Sequence, residues 1–204
     1  MSNTIKSDGN VLFPVFLKLN QIQTLVVGGG NVGLEKVEAL LKNDPEANVM
    51  IIAPNFLPEL KDLAETISSI EIIKRKVRSW DLRNIDLLIL ATDDPELHVR
   101  LKKKAKKKHL LTNVADTPHL CDFYLGSTVK KGDLKIGIST NGKSPTFAKR
   151  FRQMLEEVLP ESTPELLDQL KNIRDQLKGD FQSKVDRLNQ ITSVLVVKGE
   201  QKDS

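Results

Sequence analysis

Gln23-Thr-Leu-Val-Val-Gly-Gly-Gly-Asn-Val-Gly33 is the stretch on which the fold turns. Its first five residues are a short apolar, β-branched run that stops at three glycines, the pattern of a buried strand. From Val32 to Lys42 the apolar residues fall at 34, 37, 40 and 41, a helical spacing, and Asp44-Pro45 ends it. Between the two elements stands Gly28-x-Gly30-x-x-Gly33. The first glycine permits a tight turn, the second lets backbone approach a pyrophosphate, and the third allows the helix to touch the strand. Amides at the start of the helix then face the phosphates. A dinucleotide-binding unit is therefore expected, with Gly28, Gly29, Gly30, Asn31, Val32 and Gly33 at the cofactor.

Further units of the same kind follow. Asn48–Ala53, Ile70–Lys74, Asp86–Ala91 and His109–Asn113 read as four more strands, with helices over Pro58–Thr66 and Pro95–Lys108. Strands alternating with helices imply an α/β fold, a Rossmann-type doubly wound parallel sheet. The pattern then changes. Phe123–Val129 and Leu134–Ser139 read as strands joined by a hairpin at Lys130-Lys-Gly-Asp133. From Pro145 the period is helical, over Pro145–Leu159, Thr163–Leu177 and Phe181–Val197. Leu166, Leu170, Ile173 and Leu177 form one apolar stripe, and Val185, Leu188 and Ile191 another; such stripes cover a sheet or pair with a second subunit. The expected organisation is a nucleotide-binding domain over 1–116, a small β-containing dimerisation and substrate segment over 117–144, and a C-terminal helical domain over 145–204.

Composition bounds the function. The 204 residues are 39% hydrophobic and 28% charged, an ordinary globular balance. No apolar run approaches the roughly 20 residues needed to cross a bilayer. The first ten residues are polar, and the single cysteine, Cys121, excludes an internal disulfide framework. A cytoplasmic chain with no membrane partner is expected. The net charge of +4 is unevenly spread: Arg100 to Lys108 holds Arg100 plus six lysines and no acid, and Lys130 to Arg152 holds seven basic residues against Asp133. Such patches suit an anionic partner. Aromatic content of 4% leaves few stacking platforms, and no nucleic-acid module occurs, so nucleic acid is not the expected partner.

Several residues carry chemistry. Thr92-Asp93-Asp94 ends the fourth strand, on the side where open α/β sheets bind ligands; Thr92 and Asp93 are cofactor candidates, and a helix cap is the structural alternative. The second strand ends Ile52-Ala53-Pro54-Asn55, without the acid that binds a ribose hydroxyl or an Arg for a 2′-phosphate, so it does not choose between NAD and NADP. Asn113-Val-Ala-Asp116 ends the fifth strand in the same crevice, where a carboxylate can move a proton beside a bound nicotinamide; a turn residue before Pro118 is the alternative. His119, Cys121 and Asp122 lack the number and spacing of a dedicated metal site, so no metal is expected. Trp80, Tyr124 and the methionines read as packing residues. Ser139-Thr-Asn-Gly-Lys-Ser-Pro145 is explained as a turn followed by a helix cap, yet it also offers hydroxyls and cations to an anion.

Six motifs in order now bear on identity: Leu12-Phe-Pro-Val-Phe-Leu17, Val26-Val-Gly-Gly-Gly-Asn-Val-Gly33, Ala91-Thr-Asp-Asp94, Asn113-Val-Ala-Asp116, Cys121-Asp-Phe-Tyr124 and Ile138-Ser-Thr-Asn-Gly-Lys-Ser-Pro145. Over about residues 12 to 160 the chain resembles precorrin-2 dehydrogenase, also found as the amino-terminal part of siroheme synthase. The resemblance implies NAD as cofactor, a tetrapyrrole substrate, oxidation of precorrin-2 to sirohydrochlorin, and a homodimer. It implies Asp116 as the catalytic residue and general base. It puts the family's serine-rich loop on Ser139 and Thr140, where enteric siroheme synthase has serine in place of Thr140; independently, the charge map lets the basic stretch receive the substrate's carboxylates, so Asn113, Asn141, Gly142, Lys143, Arg150 and Arg152 are the further substrate candidates. Some members also insert iron into sirohydrochlorin, so a bifunctional dehydrogenase and ferrochelatase is the alternative. A non-catalytic NAD-sensing dimer is a remoter one.

Overall fold

β1 (Gln23–Val27) lies at the centre of a parallel sheet, its Leu25, Val26 and Val27 buried on both faces and driving it there, with Thr24 buried alongside them. The computed structural model describes residues 9–177 and 181–192. These form two compact units, the first ending at Gly126 and the second starting at Ser127.

The first unit continues through α1 (Asn31–Asn43), β2 (Asn48–Ala53), α2 (Pro58–Thr66), β3 (Ile70–Lys74), β4 (Leu87–Leu90), α3 (Pro95–Lys106) and β5 (Leu111–Val114). The sheet order is β3-β2-β1-β4-β5, all parallel, with Val26 in register between Ile51 and Ile89. The chain thus leaves β1 to one side for β2 and β3, then returns to the other side for β4 and β5. The order reverses between β1 and β4, which opens a crevice at the carboxyl ends of those two strands.

Side-chain alternation splits the core into two layers. Val26, Ile51, Leu87 and Ile89 pack with Val37 and Leu40 of α1 and Leu60 of α2 on one face. Leu25, Val27, Ile52, Leu88 and Leu90 pack with Leu101 and Ala105 of α3 and with Leu82 on the other. Each fully buried Leu or Ile of this kind contributes about 1.5–3 kcal/mol. The expected doubly wound sheet is present.

Three local expectations are corrected. The fifth strand begins at Leu111 rather than His109, because His109 takes a left-handed φ of 58° and Leu110 N–H still donates to Ala105 O of the preceding helix. The strand expected from Phe123 starts instead at Ser127. Residues 121–123 are drawn onto the open edge of β5: Asp122 N–H donates to Thr112 O at 2.7 Å and Asn113 Nδ2 donates to Phe123 O at 2.9 Å, while Phe123 and Leu125 turn into the core. Trp80, Tyr124 and Met154, expected to pack, are exposed instead, and the Arg78 guanidinium lies 4.9 Å from the centre of the Trp80 ring.

The second unit holds an antiparallel pair, β6 (Ser127–Lys131) and β7 (Leu134–Ile138), with Lys130 and Lys131 inside the ladder and a tight turn at Gly132-Asp133. Helices α4 (Pro145–Val158), α5 (Thr163–Gln176) and α6 (Phe181–Thr192) follow. Gly179 and the expected continuation of the last helix to Val197 lie outside the described residues. Val129 and Ala148 are this unit's fully buried apolar residues among those described. Phe147, Phe151, Met154 and Val158 instead form an exposed stripe along α4, the two phenylalanine rings stacked at 5.8 Å.

Candidate functional site

The glycine-rich turn sits at the point where the sheet order reverses. Gly28 has a φ of 130°, and a Cβ there would lie 2.2 Å from Ala91 O at the end of β4. A Cβ at Gly33 would lie 2.3 Å from Gly28 O, so the first turn of α1 packs directly on the end of β1. Gly29 is closed off too, with Asn55 O at 2.1 Å from its Cβ position and Leu57 N–H donating to its carbonyl. Gly30 differs from all three: nothing lies within 4 Å of where its Cβ would be.

That contrast is the test of whether a dinucleotide fits. Three glycines are required by the protein's own packing, and the fourth faces open space at the start of a helix. The first helical bond runs from Leu34 N–H to Gly30 O, so the amides of Asn31, Val32 and Gly33 have no acceptor within the helix. Donors and the positive end of the helix dipole thus surround the opening at Gly30, which suits a pyrophosphate. The backbone of the turn fits the group.

Thr92-Asp93-Asp94 divides its labour. Asp94 is the helix cap, its Oδ1 accepting from Leu97 N–H at 2.9 Å. Asp93 is exposed. Thr92 is half buried beside the glycine turn, its amide nitrogen 3.3 Å from the Cβ position of Gly28. Its hydroxyl lies 2.8 Å from Nε2 of His98, which is 4% exposed on the first turns of α3. Burial lowers the His98 pKa below its ordinary value, against a weaker opposite pull from Asp94 and Asp93. Sequence reasoning missed His98 because a histidine inside a helical apolar pattern reads as core. It also missed Asn55, whose carbonyl seals Gly29.

Asp116 follows β5 at the same carboxyl edge, tied there by Ala115 N–H to Leu90 O at 2.9 Å. It is exposed and holds a left-handed φ of 55°. Among the described residues no hydrogen bond or ion pair engages its carboxylate, so it does not cap the turn before Pro118; Thr117 N–H bonds to Val114 O instead. Asp116 is the third residue of the turn that this Thr117–Val114 bond closes, a place where aspartate adopts left-handed backbone readily. The strand before it is pinned: Cys121 Sγ accepts from Val114 N–H and donates to Val114 O, both at 3.2 Å, and Asp122 Oδ2 accepts from Thr112 N–H and pairs with Lys102. Cys121 and Asp122 therefore act as hydrogen-bonding anchors. Asn113 is buried, and its amide is committed inside the protein to Phe123 O.

In the second unit, Asn141 and Gly142 have φ values of 53° and 75°, and Lys143 N–H donates to Thr140 O at 3.0 Å, a type I′ turn. The Thr140 hydroxyl accepts from Ser144 N–H and donates to Ser144 O, bracing the loop, and Ser144 caps α4 through Phe147 N–H. Ser139 Oγ accepts from Asn141 N–H. Lys143 and Arg150 are exposed, whereas Arg152 grips both carboxylate oxygens of Glu156. A cavity of about 320 Å³ lined by Leu82, Arg83, Asn84, Ile85, Lys108 and Leu110 lies at the amino-terminal ends of β4 and β5, away from the crevice.

Residues 131–157 match a family described as sirohaem biosynthesis protein central. The chain is 34% identical over 176 residues to the siroheme synthase of Psychrobacter arcticus, covering 86% of this chain and 31% of that protein. It is 33% identical over 171 residues to the siroheme synthase of Pseudoalteromonas atlantica, covering 84% and 36%. The chain thus spans about a third of the length of these curated relatives. The solved structure of SirC, precorrin-2 dehydrogenase, has the same fold, with a TM-score of 0.69, 24% identity and coverage of 88% of this chain and 89% of that one. Residues 15–127, more than half of the 204, match the family described as putative NAD(P)-binding, and the chain belongs to that family.

Proposed function

We propose that this protein is an NAD-dependent precorrin-2 dehydrogenase that yields sirohydrochlorin in siroheme biosynthesis. The observation that carries this reading is the open ground at Gly30 after β1, together with an unengaged Asp116 carboxylate after β5, both at the carboxyl edge of one parallel sheet. The six sequence motifs, the siroheme synthase relatives and the shared fold supply the substrate. NAD, when bound, supplies the hydride acceptor. The glycine turn and the amides of Asn31, Val32 and Gly33 would hold its pyrophosphate, with Thr92 and Asp93 following β4 beside the turn as further cofactor contacts. Oxidation removes two hydrogens from precorrin-2, one as hydride to NAD and one as a proton, and Asp116 is the general base for that proton. Asn113 serves this step by anchoring the loop that carries Asp116.

The substrate is a polycarboxylate. Lys143 and Arg150, exposed and without an ion pair among the described residues, are the proposed carboxylate ligands, with Ser139, Asn141 and Gly142 offering the loop's polar groups. Thr140 shapes that loop, and Arg152 contributes after release from Glu156. A homodimer is proposed from the second unit, whose α4 stripe leaves Phe147, Phe151, Met154 and Val158 exposed in one copy. No described helix is long and apolar enough to cross a membrane, and the free Cys121 thiol fits a reducing cytoplasm.

The deciding experiment is anaerobic incubation of the protein with precorrin-2 and NAD, following NADH and sirohydrochlorin together. Stoichiometric appearance of both is expected. NAD binding without turnover of the tetrapyrrole would overturn the proposal in favour of a sensing module.

A further inference from the structure

The contact between His98 and Thr92 is made inside the protein but acts at the edge of the crevice. Thr92 follows the last residues of β4, where Gly28 packs against Ala91 O and approaches the Thr92 amide. Its hydroxyl has one hydrogen and two lone pairs. One lone pair receives Asp94 N–H at 3.3 Å, and the histidine nitrogen lies 2.8 Å away. The direction of that second bond decides what Thr92 offers to a ligand. If the hydroxyl donates to Nε2, its remaining lone pair accepts from the ligand; if Nε2–H donates, both lone pairs are used and the hydroxyl can only donate.

Resting on the NAD reading above, we propose that His98 is a positioning residue for the cofactor: it takes the Thr92 hydrogen and so presents Thr92 to bound NAD as an acceptor for a ribose hydroxyl or the carboxamide amino group. The burial of His98 favours the neutral imidazole, and the proposal assigns its single ring hydrogen to Nδ1, which leaves Nε2 the acceptor. Asp93 and Asp94 are the charges that act on the ring, and both oppose burial by favouring its protonation. Protonation would turn Nε2 into a donor, reverse the Thr92 hydroxyl and set donor against donor at the cofactor.

Calorimetric titration of NAD into the full chain tests this, from pH about 8 down to about 5 so as to span the ordinary imidazole range. Wild-type affinity is expected to fall on the order of tenfold on acidification, the scale of one hydrogen bond. Thr92→Val is expected to lose a similar factor at high pH and then to show no further acid loss. Thr92→Ser keeps both the affinity and the pH profile. His98→Leu flattens the profile, and adding it to Thr92→Val costs nothing more, because both variants remove one interaction. Nicotinic acid adenine dinucleotide, which lacks the amino group, separates the donors: the Thr92→Val loss persists for a ribose hydroxyl and vanishes for the carboxamide. The proposal fails if Thr92→Val binds NAD as wild type does, if the acid loss survives in that variant, or if the two losses add. Should His98→Leu not fold, the Thr92→Val and Thr92→Ser profiles decide the matter alone. Gly30→Asp guards the underlying reading: retained NAD binding there overturns the cofactor site itself, whereas its loss beside an unaffected Thr92→Val overturns only the role of His98.

Discussion

Four glycines within six residues differ in what they tolerate, and the difference separates packing from binding. At Gly33 a side chain meets the Gly28 carbonyl at 2.3 Å, so Gly33→Val should cost at least about 1–3 kcal/mol by overpacking and lower Tm visibly in a calorimetric scan. At Gly30 a side chain meets nothing, so Gly30→Asp should melt near the wild-type temperature yet abolish NAD binding, since it sets a negative charge where the pyrophosphate lies. Unchanged NAD affinity in that variant would sink the assignment of the loop. Asp116 allows a similar separation, because its backbone is left-handed. Asparagine and glycine both tolerate that conformation. Asp116→Asn and Asp116→Gly should therefore fold with Tm close to wild type while turnover drops by roughly 10²–10⁴, the usual contribution of a general base. Asn at this position retaining more than about a tenth of the turnover would remove Asp116 from that role.

Among the elements, α3 and β5 carry the finest control. His98 opens α3 from a buried position, with its pKa lowered in the folded state. Between that lowered value and the ordinary one near 6.5, the unfolded chain binds the proton and the native one does not. Stability is therefore full above the unfolded pKa and falls as pH drops through this window. The Tm of wild type should decline from pH about 7 toward 5 more steeply than that of His98→Leu, compared as differences from each protein's neutral value. Identical slopes would show that His98 does not titrate in this way. β5 is an edge strand whose free side is covered by residues 121–123. Asp122→Ala strips the acceptor from the buried Thr112 amide and frees Lys102, and should destabilise by about 1–3 kcal/mol in denaturant unfolding. NAD affinity should be nearly unchanged, because the glycine turn lies two strands away.

The whole molecule presents two basic regions of different character. On α3 the run from Arg100 to Lys108 is largely absorbed: Leu101 and Ala105 face the core, Lys102 pairs with Asp122, Lys104 bonds to Ser79, and the remaining lysines lie near the helix C-terminus, whose dipole favours cations. The region around Lys143 and Arg150 has no such internal explanation. Replacing both with neutral residues should raise the apparent KM for precorrin-2 while leaving NAD affinity intact, and the effect should shrink with added salt because exposed charges are screened. A loss confined to NAD binding would show that the carboxylates are received elsewhere.

Much of this was written in local pattern. The turn at Gly28-x-Gly30-x-x-Gly33, the alternation of strands and helices through Val114, and the caps at Asp94 and Ser144 follow from steric and hydrogen-bonding rules that act over a few residues, so the sequence by itself determined the sheet and placed Thr92 and Asp116 at its carboxyl edge. The relation between distant segments was not legible there. Phe123 reads as the start of a strand, and only the unpaired edge of β5 draws residues 121–123 into an anchor on Thr112, Asn113 and Val114. His98 reads as an apolar-face residue until α3 folds back and sets its ring against Thr92. Gly29 reads as a cofactor contact, and only the segment after β2, closing over it, shows that packing requires it. Each of these depends on which backbone groups remain unsatisfied once the sheet has formed, and tertiary packing settles that by bringing donors and acceptors far apart in the chain within reach.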